Sequence, residues 1–106
     1  LGDTFKTTVL ARVVSKENNV RIVRAKVELG EADAAIVYRT DAMASKRVKL
    51  IPIPVVMNVR ASYSIGIIKN TQKVKLARQW IRFVTSQKVR SFFGKRGFVV
   101  QSTTRP

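Results

Sequence analysis

The sequence predicts an α/β fold. Apolar residues recur at helical spacing over residues 15–29 and again from Thr71, short unbroken apolar runs lie between those stretches, and glycines and prolines separate the two kinds of segment. Helices that alternate with short apolar strands define this class, because each strand face needs a layer to cover it.

Residues 1–14 fit two readings: Thr7 to Val14 is β-branched enough for a strand, while Leu10-Ala11-Arg12 suits a short helix. Ser15 to Leu29 reads as a helix. Ser15, Asn18 and Asn19 offer capping side chains, and Val20, Val23 and Val27 recur at i, i+3 and i+7. Gly30 follows where a helix C-terminus favours a left-handed residue. So many β-branched residues mean that packing, more than intrinsic propensity, holds this helix. Ala34 to Tyr38 is a continuous apolar run, the mark of a strand covered on both faces. Thr40 to Ser45 reads as a helical turn capped by Thr40. Val48 to Ile53 reads as a strand whose Pro52 and Pro54 suit an edge, and Tyr63 to Ile68 as another, with Gly66 marking close backbone approach. From Thr71 the helical period returns: Val74, Ala77, Ile81 and Val84 form a stripe with Leu76, Trp80 and Phe83 beside it. Ser86 is placed to cap a second helix carrying Val89, Phe92 and Phe93 and ended by Gly94, and residues 99–106 read as a frayed tail. The chain thus divides into an α/β segment, 1–68, and a helical segment with tail, 69–106, with no internal repeat.

At 106 residues the chain suits one small domain with a modest core, and an apolar fraction of 45% argues against disorder throughout. No apolar run approaches the roughly 18–20 residues of a membrane span. No signal peptide is legible and the first residue is Leu1, so a processed product, a trimmed chain or a piece of something longer is the expectation. The absence of cysteine and histidine removes disulfides, thiolate and imidazole metal sites, and the commonest general base. With six carboxylates and no phosphate-binding glycine loop, nucleophile elbow or paired-carboxylate site, the reading is a non-enzyme without a cofactor.

Charge is the most uneven property. The net value is +15, yet all six acids lie in the first 41 residues, and the last 65 hold fourteen Lys and Arg with no acid. Such a segment attracts polyanions, whether nucleic acid, an acidic membrane face or an acidic protein, and its other reading is a solvated basic surface.

Two residues stand out as candidate binding groups. The helix that opens at Asn18-Asn19-Val20-Arg21 directs N–H groups without intrahelical partners along the positive end of its dipole, an anion site if no cap fills it. Tyr38 closes its apolar run before Arg39-Thr40-Asp41, at a strand's carboxyl end, where open α/β sheets hold ligands; the alternative is a rim tyrosine bonded to a backbone carbonyl. Trp80, Phe83, Phe92 and Phe93 among basic residues suit either a stacking platform for single-stranded nucleic acid or, by their helical spacing, core packing.

The stretches SKENNVRIVRAKVELGEADAAIVYRTDA, VKLIPIP, YSIGII and FFGKRGF, in that order, resemble the C-terminal part of molybdate/tungstate-binding receptors. These are the solute-binding components of ABC importers, with a two-lobed class II periplasmic-binding-protein fold, and the resemblance runs over residues 13–100. It implies an incomplete fold of that class: part of the second lobe plus C-terminal helices of the first, completed by self-association. It further implies a tetrahedral oxyanion ligand (molybdate or tungstate), the membrane subunits of an ABC transporter as partners of the full-length receptor, and an extracytoplasmic location. Val20 matches the position whose backbone N–H donates to the anion at a helix start, and Tyr38 the tyrosine whose hydroxyl donates. The departures are in length, charge and one residue. The family needs about twice this length, the serine-bearing first lobe and the early half of the second lack counterparts, the basic tail has no role in the family's mode of binding, and Ala35 stands where the family often has glycine. Uncovered sheet edges and helix faces lead to the expectation of a homo-oligomer that exchanges its C-terminal helices. The acid-free segment sustains a second expectation, a polyanion- or nucleic-acid-binding module.

Overall fold

The computed structural model describes residues 2–100. They form two compact units, the first running to Leu50 and the second starting at Ile51. The first unit holds α1 (Gly2–Ala11), α2 (Val20–Glu28) and α3 (Arg39–Met43). The second holds a 3₁₀ turn (Val55–Met57), α4 (Val74–Val84) and α5 (Gln87–Lys95). None of these helices is long and apolar enough to cross a membrane. Of the tail expected over 99–106, the part from residue 101 lies outside the described residues.

The ambiguous N-terminal stretch is helical. Thr8 returns its hydroxyl to the Thr4 carbonyl at 2.8 Å, which reconciles a threonine-rich run with an α-helix. The next helix starts at Val20 rather than near Ser15, because Asn19 adopts extended backbone (φ −139°, ψ 126°) and its side chain accepts from the Arg21 N–H at 2.8 Å. It stops at a left-handed glycine. Gly30 has φ +77°, its N–H reaches the Val27 carbonyl at 3.1 Å, and the Glu31 N–H reaches Lys26 at 2.8 Å. These are the paired 5→2 and 6→1 bonds of a Schellman motif. Helix α5 ends the same way, at Gly97 (φ +99°) and not at Gly94, which lies within the helix. There the Gly97 N–H meets the Gly94 carbonyl, the Phe98 N–H meets Phe93, and the Phe93 and Phe98 rings pack edge-on at 5.5 Å. Ser86 caps the start of α5, as its position predicts.

The strands do not form. Residues 34–38, 48–53 and 63–68 make no ladder among the described residues, so the expected sheet is absent and the described architecture is helical. A strand needs a neighbour for its N–H and C=O groups and cover for its side chains. Here Ile36 is 82% exposed, Ile51 and Ile68 are also open, and water takes the place of both. A Cβ placed on Gly66 would meet nothing within 4 Å, so the close approach expected there does not occur. Thr40 is not a cap either: Tyr38 precedes the first turn of α3, and no side chain caps it.

Burial is correspondingly thin. Ala42, 7% exposed, is the buried apolar residue of the described chain. The chain exposes 10110 Å², well above the roughly 7,200 Å² that two folded units of half this mass would expose together. In the second unit α4 packs on α5, and Ala77, Ile81 and Val84 of the one and Val89 and Phe93 of the other are half-buried.

Candidate functional site

The candidate site belongs to the first unit and is built on the contact between α2 and α3. Four donors open α2. Asn19 satisfies two of them: its side chain takes the Arg21 N–H at 2.8 Å, and its carbonyl takes that of Ile22 at 3.1 Å as well as the regular bond from Val23 at 3.2 Å. The N–H groups of Asn19 and Val20 have no acceptor among the described residues. The first turn carries Arg21 and no acid, so nothing in it offsets the positive end of the dipole. Cap and dipole leave two backbone donors, one of them the Val20 N–H, and a local positive field.

Tyr38 sits at the other element. Its backbone is extended (φ −71°, ψ 151°), and its carbonyl accepts from the Asp41 N–H at 3.0 Å and the Ala42 N–H at 3.2 Å. Tyr38 is 51% exposed, and its hydroxyl bonds no described residue. Tyr38 therefore presents a donor from a helix cap rather than from a strand end.

Arg24 joins the two elements, and sequence reasoning missed it. Its Nη1 donates to the Asp41 carbonyl oxygen at 2.9 Å, while Nε stands 2.9 Å from the Glu28 carboxylate as an i, i+4 ion pair. The Nε–H is not aimed well enough to make that pair a hydrogen bond, and Asp41 Oδ2 is buried without a hydrogen-bond partner. The i, i+4 spacing of Arg24 and Glu28 was a legible signal; the backbone acceptor seventeen residues away was not.

A second set of charges steadies the far side of α2. Ser15 donates to Glu17 at 2.6 Å, and Lys26 pairs with Glu17 at 3.5 Å and with Glu31 at 3.4 Å. The Ser15 hydroxyl, and then Lys26, holds Glu17 below its ordinary range, while Glu31 first and Glu17 second hold Lys26 above its own. Among the described residues no cluster of carboxylates is placed to hold a metal.

The C-terminal aromatics differ in exposure. Phe93 is half-buried against Phe92 and Phe98, whereas Trp80 and Phe83 pack on each other at 5.6 Å and remain open. The second unit contains no Asp or Glu, so its Lys and Arg lack carboxylate side chains of their own unit to pair with. Arg96 instead lies over the Phe92 ring at 4.1 Å.

Comparison with known proteins adds a frame to this geometry. Residues 3–99 match the family model described as bacterial extracellular solute-binding protein. The chain is 36% identical over 86 residues to the molybdate-binding protein ModA of Mycobacterium tuberculosis (strain ATCC 25618 / H37Rv), an alignment covering 80% of this chain and 33% of that protein. It is 33% identical over 90 residues to YvgL of Bacillus subtilis (strain 168), named as an ABC transporter substrate-binding lipoprotein, covering 78% of this chain and 32% of that one. The chain therefore spans about a third of the length of the curated relatives it matches. No solved structure matches it.

Proposed function

We propose a function from one premise: this chain belongs to the bacterial extracellular solute-binding protein family. It acts as the C-terminal part of the substrate-binding component of an ABC importer, outside the cytoplasm, and its ligand is a tetrahedral oxyanion of the molybdate or tungstate type. The role is binding without a chemical step or a cofactor, and the membrane subunits of the transporter are the partners of the complete receptor. The names of the molybdate-binding and lipoprotein relatives support the ligand class and the location.

The observation that carries the reading is the start of α2, where Asn19 satisfies its neighbours and leaves the Val20 N–H with a positive field behind it. An oxyanion accepts from that N–H, and the Tyr38 hydroxyl supplies a second, neutral donor from the cap of α3, which Arg24 ties to α2. Neutral donors and a dipole end solvate a dianion while leaving it free to depart, as transport requires. Two donors give weak binding, since each contributes about 1 kcal/mol net, or up to roughly 3 with a charged acceptor.

An NMR titration with molybdate, matched against sodium chloride at equal ionic strength, tests this. The reading expects saturable shifts at the Val20 amide and the Tyr38 ring. Shifts that never saturate and spread over the Lys and Arg residues would reduce it to nonspecific charge.

A second reading rests on the acid-free second unit: a polyanion-binding surface, with single-stranded nucleic acid as its ligand. It expects sequence-tolerant DNA binding that falls steeply with salt, and no mobility shift at low salt would end it.

A further inference from the structure

Two donors at the starts of different helices, the Val20 N–H and the Tyr38 hydroxyl, have to reach one anion for the oxyanion reading to hold. The residues between them, 29–37, form no ladder that would fix their spacing. Arg24 supplies a link. It lies one turn after Val20, on the same side of α2, and its Nη1 donates to the Asp41 carbonyl oxygen at 2.9 Å. The Asp41 N–H in turn donates to the Tyr38 carbonyl at 3.0 Å. A hydrogen-bonded path thus runs from the first turn of α2 to the backbone of Tyr38. We propose that Arg24 is the positioning residue of the oxyanion site: it sets the separation of the two donors, and thereby the affinity, without touching the anion. The inference rests on the oxyanion reading.

Three observations assign Arg24 to position rather than to charge. Its bond reaches across seventeen residues of sequence, whereas the hydrogen bonds of Ser15, Asn19 and Lys26 in the same unit join residues two to five apart. Those shape local turns, and this one joins two elements. The guanidinium is also committed: Nε is shielded from solvent and stands 2.9 Å from the Glu28 carboxylate, which offsets the positive charge on the spot. Finally, the acceptor Asp41 is the neighbour of Ala42, 7% exposed, so the bond lies in the best-covered part of the described chain. Water competes least there for a charge-assisted bond.

Molybdate titrations of the intact chain, followed by NMR at the Val20 amide and the Tyr38 ring, test this with Arg24→Gln, Tyr38→Phe and the double variant. Arg24→Gln should weaken binding about fivefold to tenfold, the value of one donor, with helicity kept because glutamine suits a helix interior. In the Tyr38→Phe background the same change should weaken binding less than about twofold, because the donor that Arg24 positions is already gone. Arg24→Lys keeps the charge and should weaken binding as Arg24→Gln does; it serves the same cycle should the glutamine variant lose α2. Equal losses in both backgrounds, or unsubstituted affinity in either Arg24 variant, would overturn the inference and leave the oxyanion reading in place. Absence of saturable shifts in the unsubstituted chain would overturn both.

Discussion

The Arg24 guanidinium donates to the Asp41 carbonyl oxygen at 2.9 Å and so fastens the helix that begins at Val20 to the one that follows Tyr38. Ala42, the best-buried residue of the described chain, lies next to that bond. Arg24→Ala should remove a charge-assisted bond of roughly 1.5–3 kcal/mol, together with the i, i+4 Glu28 pair, whose side chains are 23% and 19% exposed. Hydrogen exchange at Asp41 and Ala42 measures the loss. Arg24→Lys should restore little, because an ammonium lacks the fork that reaches a carbonyl and a carboxylate together.

Two glycines on either side of one helix end should respond with opposite signs. Gly94→Ala places a methyl within α5, 3.9 Å from Val100 Cγ2, in ordinary contact, and should stabilise the helix by about 0.5–1 kcal/mol. Gly97→Ala forces a side chain to φ +99° and should destabilise by about 1–2 kcal/mol. Gly30→Ala should behave like Gly97→Ala, since nothing crowds the site and backbone conformation alone decides the sign. Circular dichroism melts of the variants distinguish the cases.

The charge network around Lys26 fixes a pH response. Glu17 is depressed from its ordinary 4.5, chiefly by Ser15, so its contribution is present above that value and is lost as pH falls through the lower folded value. Lys26 is raised from 10.5, chiefly by Glu31, so its contribution is present below that value and is lost as pH rises through the higher folded value. Between those limits this network should add no slope to stability. NMR titration should find Glu17 below and Lys26 above their peptide midpoints. Ser15→Ala should return Glu17 toward 4.5 while barely moving Lys26.

The anion reading separates capping from binding at one position. Asn19→Ala should cost α2 about 1 kcal/mol of stability, whereas Asn19→Asp should keep the helix, because the carboxylate still accepts from the Arg21 N–H. That added negative charge beside the Val20 N–H should nevertheless weaken the molybdate response. Tyr38→Phe should weaken it about fivefold to tenfold with the fold intact, the value of one donor. Calorimetry at high protein concentration compares them, and unchanged binding in both variants would place the anion elsewhere.

The helices were legible in the sequence because their determinants are local. Val20, Val23 and Val27 mark a helical face, Gly30 stops the helix through its own φ, and Ser86 caps with its own hydroxyl. Resolution failed where two local signals competed. Gly94 and Gly97 both suit a helix end, and the ring contact between Phe93 and Phe98 is what accompanies the choice of the second. Of the proposed site, Val20 was legible as a helix start and Tyr38 as the end of an apolar run; the Arg24 bond between their helices was not legible, because its acceptor is a backbone carbonyl that carries no residue signature.

The sequence by itself determined that helices lie over α2, α4 and α5, the Ser86 cap and the Gly30 stop, and the split between a near-neutral start and an acid-free basic remainder. Only the tertiary structure decided that the apolar runs at 34–38, 48–53 and 63–68 stay out of a sheet and that Tyr38 stands before the first turn of a helix. The reason lies in where the stabilising partners reside: a helix bonds its own backbone four residues away, whereas a strand depends on groups from elsewhere.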